Sequence, residues 1–197
     1  LFKLSTADEL ERFVNGLKFV IERHDILRTA ILWERLPHPV QVVYREVSLP
    51  VEELTFSEDS GSIESQLKER MNPRHHSVDL RSAPLMRVEF AAPPNAAHRY
   101  VLLHTHHLIF DNESLQTMLG EVMDFVDGGV ATLAEPIPYR NYVAQALAVS
   151  RARDSEKFFR RTLGDVDEPT APFGLLDVYG DGTQVKTDGR PLNPALG

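Results

Sequence analysis

Cysteine is absent from all 197 residues. That excludes disulfide stapling, a thiol nucleophile and any Cys-ligated zinc site, and it suits a reducing cytoplasm. Positive charge is also scarce: 21 Lys and Arg stand against 29 Asp and Glu, a net charge of -8. Broad binding to a phosphate backbone needs clustered cations, so nucleic acid is not an expected partner. No apolar run approaches the length of a membrane span, and Leu1-Phe2-Lys3-Leu4 lacks the shape of a signal peptide. The expected location is therefore cytoplasmic. A chain that opens on Leu1 is expected to begin inside a longer one. Aromatics make up 8%, and Trp33, the single tryptophan, is expected in the core. Reactive chemistry is left to His, Asp, Glu, Ser and Thr.

What is present is ordinary soluble-protein composition, 42% hydrophobic and 25% charged, in a chain sized for one large domain or two small ones. Leu10, Phe13, Val14, Leu17, Val20 and Ile21 recur at helical spacing, predicting a helix over 6–24 with Ser5 or Thr6 as cap. Strands are expected over Leu27–Trp33 and Val40–Tyr44, separated by a turn at Pro37 and Pro39, and a short helix ends near Met71. Pro84–Phe90 and Arg99–His107 alternate and predict a hairpin. Leu115, Met118, Leu119, Val122, Met123 and Phe125 predict a helix ending at Gly128-Gly129, and one longer helix is expected over 138–163. From Gly164 the apolar periodicity fades among glycines and prolines, as in a linker.

The densest chemistry lies in His104-Thr105-His106-His107-Leu108-Ile109-Phe110-Asp111-Asn112. Histidine titrates near neutral pH, so a strand that delivers imidazole to a pocket edge can supply a general base. If the strand extends through His107, alternation puts His104 and His106 on one face and His107 on the other, beside Val101, Leu103 and Thr105. An uncharged face favours a neutral imidazole, which points to His107 as the base and His106 as structural. The same split argues against a metal centre, which needs three or four converging ligands. Histidines that merely end a strand remain the plain alternative. Other patterns carry less. Asp177–Gly182 with Asp188 only faintly echoes a calcium loop, His75-His76 suits a solvated turn, and Ser114 has no Gly-x-Ser-x-Gly setting.

His106-His107-Leu108-Ile109-Phe110-Asp111-Asn112 resembles the His-His-x-x-x-Asp-Gly motif of condensation domains of nonribosomal peptide synthetases, relatives of chloramphenicol acetyltransferase. Upstream, Arg23-His24-Asp25-Ile26-Leu27-Arg28-Thr29 resembles the Arg-His-Glu-x-Leu-Arg-Thr signature of the same family. Asp79-Leu80 with Ala83-Pro84-Leu85-Met86-Arg87 matches a third feature between them, and Tyr139-Arg140-Asn141-Tyr142 resembles the segment that follows.

The resemblance implies an α/β fold: a chloramphenicol acetyltransferase-like sandwich with helices packed on a mixed, largely antiparallel sheet. Residues 1–163 would be the N-terminal subdomain, and 164–197 would lead toward a C-terminal subdomain that lies outside the chain. The implied reaction joins a carrier-bound acyl thioester to a carrier-bound amine, with His107 catalytic. Asp111 would hold the motif loop through an arginine, and His106, Arg23 and Arg28 would be scaffold. No metal or tightly bound cofactor is implied, because the substrates ride on the phosphopantetheine arms of carrier protein partners. Related outcomes are ester formation, epimerisation, CoA-dependent acyl transfer, or a silent carrier-binding scaffold. Asn112 replaces the motif glycine. It is expected to border the substrate channel, narrowing it, contacting substrate or capping the next helix.

Overall fold

The computed structural model describes residues 1–56, 62–72, 77–93, 96–171 and Gly174. The readings at His75-His76 and at Asp177–Gly182 with Asp188 lie outside these residues. The chain divides into two compact units, Leu1–Ala146 and Leu147–Gly197.

The first unit is built on a four-stranded sheet. Its strands are β1 (Phe2–Leu4), β4 (Val51–Glu53), β5 (Met86–Ala91) and β6 (Arg99–Thr105), in the spatial order β1-β6-β5-β4. β1 and β5 both run antiparallel to β6, while β4 runs parallel to β5, so the sheet is mixed and largely antiparallel, as expected. A parallel pair needs a crossover, and here α2 (Ile63–Arg70) provides it between β4 and β5. The expected β5–β6 hairpin is present, with Met86 opposite Thr105 and Ala91 opposite Tyr100. β2 (Thr29–Leu32) and β3 (Val40–Val43) form a separate antiparallel pair.

Strand alternation gives the sheet two different faces. Met86, Val88 and Val101 belong to the main core, shared with Leu10, Phe13 and Leu17 of α1 (Ala7–Arg23) and with Met118 and Val122 of α3 (Asn112–Val126). Thr6 caps α1 by accepting the Glu9 N–H, and Glu9 returns a bond to the Ser5 N–H, two donors met reciprocally. α1 and α3 touch closely at Gly16, where an added Cβ would stand 3.0 Å from Val122 Cγ1 and 3.1 Å from its carbonyl oxygen. The opposite sheet face carries Leu102, which packs with Leu54 and with Leu67 of α2.

Several expected boundaries shift. The strand expected over Leu27–Trp33 begins as a 3-10 turn, Asp25–Arg28, because the Leu27 N–H bonds the His24 carbonyl before β2 starts. The helix expected over 138–163 is two, α4 (Tyr139–Ala152) and α5 (Ser155–Leu163). They part where Asp154 leaves helical geometry and accepts the Lys157 N–H as a new N-cap. Trp33, expected in the core, is 41% exposed, since it is the first residue of the connection between β2 and β3, just past the end of their pairing. β1 and β4 carry no alternation long enough to read from sequence. Among the described residues, no helix is long and apolar enough to cross a membrane.

In the second unit, the Phe158 and Phe159 rings of α5 meet edge to face at 5.3 Å, and Glu156 accepts from Arg160 one turn on. Both rings are exposed.

Candidate active site

The strand β6 ends at Thr105, two residues short of the expected His107. Thr105 is the last residue paired with β5. The His106 N–H still reaches the Leu85 carbonyl at 3.0 Å, and then the chain turns, with the Ile109 N–H on the His106 carbonyl at 3.2 Å. Strand alternation therefore does not place His107; the turn does.

That turn gives the two adjacent histidines different surroundings. His106 Nδ1 accepts the Leu108 N–H at 3.1 Å, so this nitrogen keeps its lone pair inward and a neutral ring carries its proton on Nε2. His107 stands exposed at the turn, its ring edge-on to Phe110 with centroids 6.4 Å apart. No hydrogen-bond partner for its ring occurs among the described residues. Ile109 and Phe110 are buried and anchor the loop to the core.

Asp111 closes the loop as the N-cap of α3. Its Oδ1 accepts the Ser114 N–H at 2.9 Å and the Ser114 hydroxyl at 2.7 Å. The backbone and then the side-chain bond from Ser114 hold its carboxyl below the usual carboxylate range. No arginine forms an ion pair with Asp111 among the described residues. Asn112 is thus the first helical residue rather than the cap. It is exposed and helical, with no left-handed backbone of the kind that favours glycine. His107, Asp111 and Ser114 border a polar cleft of about 410 Å³ together with Tyr139 and Tyr142, whose rings stack 5.5 Å apart. Asn112 does not line it.

The upstream signature fastens this cleft from below. Arg23 Nε donates to Glu121 of α3 at 3.1 Å, and its Nη2 reaches the Ala134 carbonyl. His24 Nε2 shares the same Glu121 oxygen at 2.7 Å. Asp25 accepts the Tyr139 N–H with both oxygens, at 2.9 and 3.1 Å, and so holds the first residue of α4. Arg28 donates to the Ile21 carbonyl near the end of α1 and to the Tyr44 carbonyl beyond β3, at 3.2 and 3.1 Å. The buried Thr29 hydroxyl donates to Ile26 and accepts from Gln41. Arg23 and Arg28 therefore sit in structural contacts outside the His107 cleft. Glu121, and the contact of the signature residue Asp25 with Tyr139, escape sequence reasoning because each acts across roughly a hundred residues, on a partner no local pattern names.

A second ionic group lies on the α2 side of the sheet. Glu89, only 2% exposed, takes a two-pronged bond from Arg70 at 2.7 and 3.1 Å and one contact from His104 Nε2 at 2.9 Å. Arg87 Nε is 3.3 Å from it but misaligned, an ionic contact without a hydrogen bond. Burial pushes the Glu89 carboxyl up, yet the Arg70 bond and the charges of His104 and Arg70 outweigh it and hold the carboxyl low. His104 is thereby committed to Glu89. Among the described residues, no three His, Asp or Glu side chains gather where they would hold one metal ion.

The sequence model of the condensation domain matches residues 1–167, and the chain belongs to that family. Malpinin synthetase of Mortierella alpina is 37% identical over 195 residues, 98% of this chain and 2% of the synthetase. Malpibaldin synthetase of the same organism is 38% identical over 188 residues, 95% of the chain and 3% of the synthetase. Bacitracin synthase 3 of Bacillus licheniformis is 31% identical over 140 residues, 71% of the chain and 2% of the synthase. The chain thus spans a few hundredths of the length of these relatives. Among solved structures, the epimerization domain from the third module of tyrocidine synthetase B matches with a TM-score of 0.64 at 18% identity. It covers 86% of this chain and 40% of that one. The EpoB cyclization-docking bidomain from Sorangium cellulosum matches with a TM-score of 0.61 at 21% identity, over 85% of this chain and 34% of that one. The fold is the chloramphenicol acetyltransferase-like one, and the family comprises acyltransferase-type catalysts of nonribosomal peptide synthetases.

Proposed function

We propose that residues 1–163 form the N-terminal subdomain of a condensation domain, with 164–197 leading to a C-terminal subdomain. The intact domain joins an acyl group, held as a thioester on the phosphopantetheine arm of one carrier protein, to the free amine of an aminoacyl thioester held on another, in nonribosomal peptide synthesis. The amine nitrogen attacks the thioester carbonyl, the carbon–sulfur bond breaks, and an amide and a free thiol result. His107 takes the proton released by the attacking nitrogen, and that proton leaves on the thiolate. His106, Asp111, Arg23 and Arg28 hold the loop and the helices around it. The domain brings no cofactor or metal of its own, and a cytoplasmic location belongs to the same reading.

One observation carries the proposal: within a loop whose other polar groups are engaged by the backbone, the His107 ring alone faces the cleft without a hydrogen-bond partner among the described residues. The setting of Asn112 favours catalysis over a silent scaffold, because this side chain stands outside the cleft and does not fill it. The test is single-turnover amide formation by the intact parent domain with loaded carriers. His107→Ala should lower the rate by about 100-fold or more while the protein stays folded. Unchanged turnover in that variant would overturn the assignment.

A further inference from the structure

Beside the polar cleft lies an apolar cavity of about 300 Å³, walled by Ile26, Leu27, Ile109, Phe110, Thr117 and Met118. Ile26, Ile109, Phe110 and Ser114 border both spaces, so the two are neighbouring lobes divided by a thin partition. We propose that the apolar lobe is a specificity subsite that receives the neutral, apolar side chain of the carrier-bound residue reacting at His107. This rests on the amide-forming reading above.

Three features support the assignment. The cavity is lined by the α3 residues Glu113, Ser114, Thr117 and Met118, and it shares Ile109 and Phe110 of the His107 loop with the cleft that His107 borders. Its volume is at the low end for ligand pockets, suited to one branched or aromatic side chain. Its polar groups are already engaged or negative. His24 is bound to Glu121, and Glu113 stands on the border, so an acidic side chain meets like charge. Thr117 is exposed on α3, with its hydroxyl turned to the Glu113 carbonyl at 3.0 Å, and thus borders the opening. Met118 is buried and forms the floor.

The experiment uses stable pantetheine amides of glycine, leucine and phenylalanine, bound to the intact parent domain by calorimetry. One series has a free amine, mimicking the acceptor. The other is N-acetylated, mimicking the donor. The leucyl analogue should bind about 10-fold tighter than the glycyl one, the return expected for burying such a side chain. Thr117→Phe should compress that ratio to about 2-fold, and Met118→Ala should shift preference from leucyl toward phenylalanyl. Gln116→Phe, beside the cavity but not lining it, should leave the ratio alone. The series that shows size dependence identifies whether donor or acceptor occupies the lobe. Size-independent binding in both series, or an equal effect from Gln116→Phe, would overturn the subsite. Failure of the catalytic reading looks different: no amide formed from loaded carriers, with size-dependent binding intact.

Discussion

His104 and His107 stand three residues apart on one stretch of chain, and each has a carboxylate nearby, yet the structure uses them in opposite ways. His104 lies within a paired strand, opposite Arg87, is 14% exposed, and gives its ring to a buried glutamate that two arginines also contact. His107 lies past the last strand pair, exposed, and its neighbouring Asp111 is already occupied by the first turn of α3. A histidine whose partners are all met is part of the scaffold, while one left open beside a cleft is available to a substrate. Proximity of His to Asp in sequence does not distinguish them; hydrogen-bond satisfaction does.

The sharpest way to break this comparison is to exchange the consequences of the two truncations. His107→Ala should cost about 100-fold or more in turnover of the parent domain with little change in Tm. His104→Ala should instead lower Tm, with activity falling only as folded protein is lost. Turnover and thermal melts on the same preparations decide it. Should both variants lose activity at unchanged Tm, the division between scaffold and catalytic histidine fails.

Glu89 comes next, because it is the buried centre of its cluster. Glu89→Leu should destabilise by about 3 kcal/mol in urea titration, since Arg70, Arg87 and His104 would then face a site with no counter-charge. A loss below about 1 kcal/mol would mean that water already screens the group.

Acid should probe the same carboxylate. Its folded pKa is held below the unfolded value, so its stabilisation is fully present above the unfolded value of about 4.3 and is lost as pH falls through the folded one. The stability gap between wild type and Glu89→Gln should therefore be widest near neutrality and narrow below about pH 4. A gap that stays constant down to about pH 3 would contradict the ionised assignment.

The smallest expected effect belongs to Asp111, whose exposed carboxyl caps one helix. Asp111→Ala should lower Tm by a few degrees, and Asp111→Asn, which can still accept the Ser114 N–H, by less. Loss of turnover at unchanged Tm would assign Asp111 a chemical role in place of a capping one.

Much of this arrangement was legible in advance where the signal is local. The three- and four-residue spacing of Leu10, Phe13, Val14 and Leu17 marks α1, and Leu115, Met118 and Val122 mark α3, since a helix repeats within a few residues. The paired histidines and Asp111 were visible as a constellation for the same reason. The end of β6 was not, because Thr105-His106-His107 keeps a strand-like pattern after the partner strand has run out. Likewise the break between α4 and α5 hinges on Asp154 serving as a cap, a choice made by backbone geometry rather than apolar period.

By itself, then, the amino-acid order determined the kinds of element, the charge balance, the absence of thiol chemistry and the residues from which a site must be made. Tertiary structure alone decided which of them are spent. Glu121 meets Arg23 and His24 only because α1 and α3 pack together at Gly16, and Asp25 meets Tyr139 only when α4 folds back beside the 3-10 turn. Hydrogen bonds act over about 3 Å, whereas sequence patterns report the periodicity of one element at a time. The partners that leave His107 open and His104 closed exist only after separate elements have been brought together.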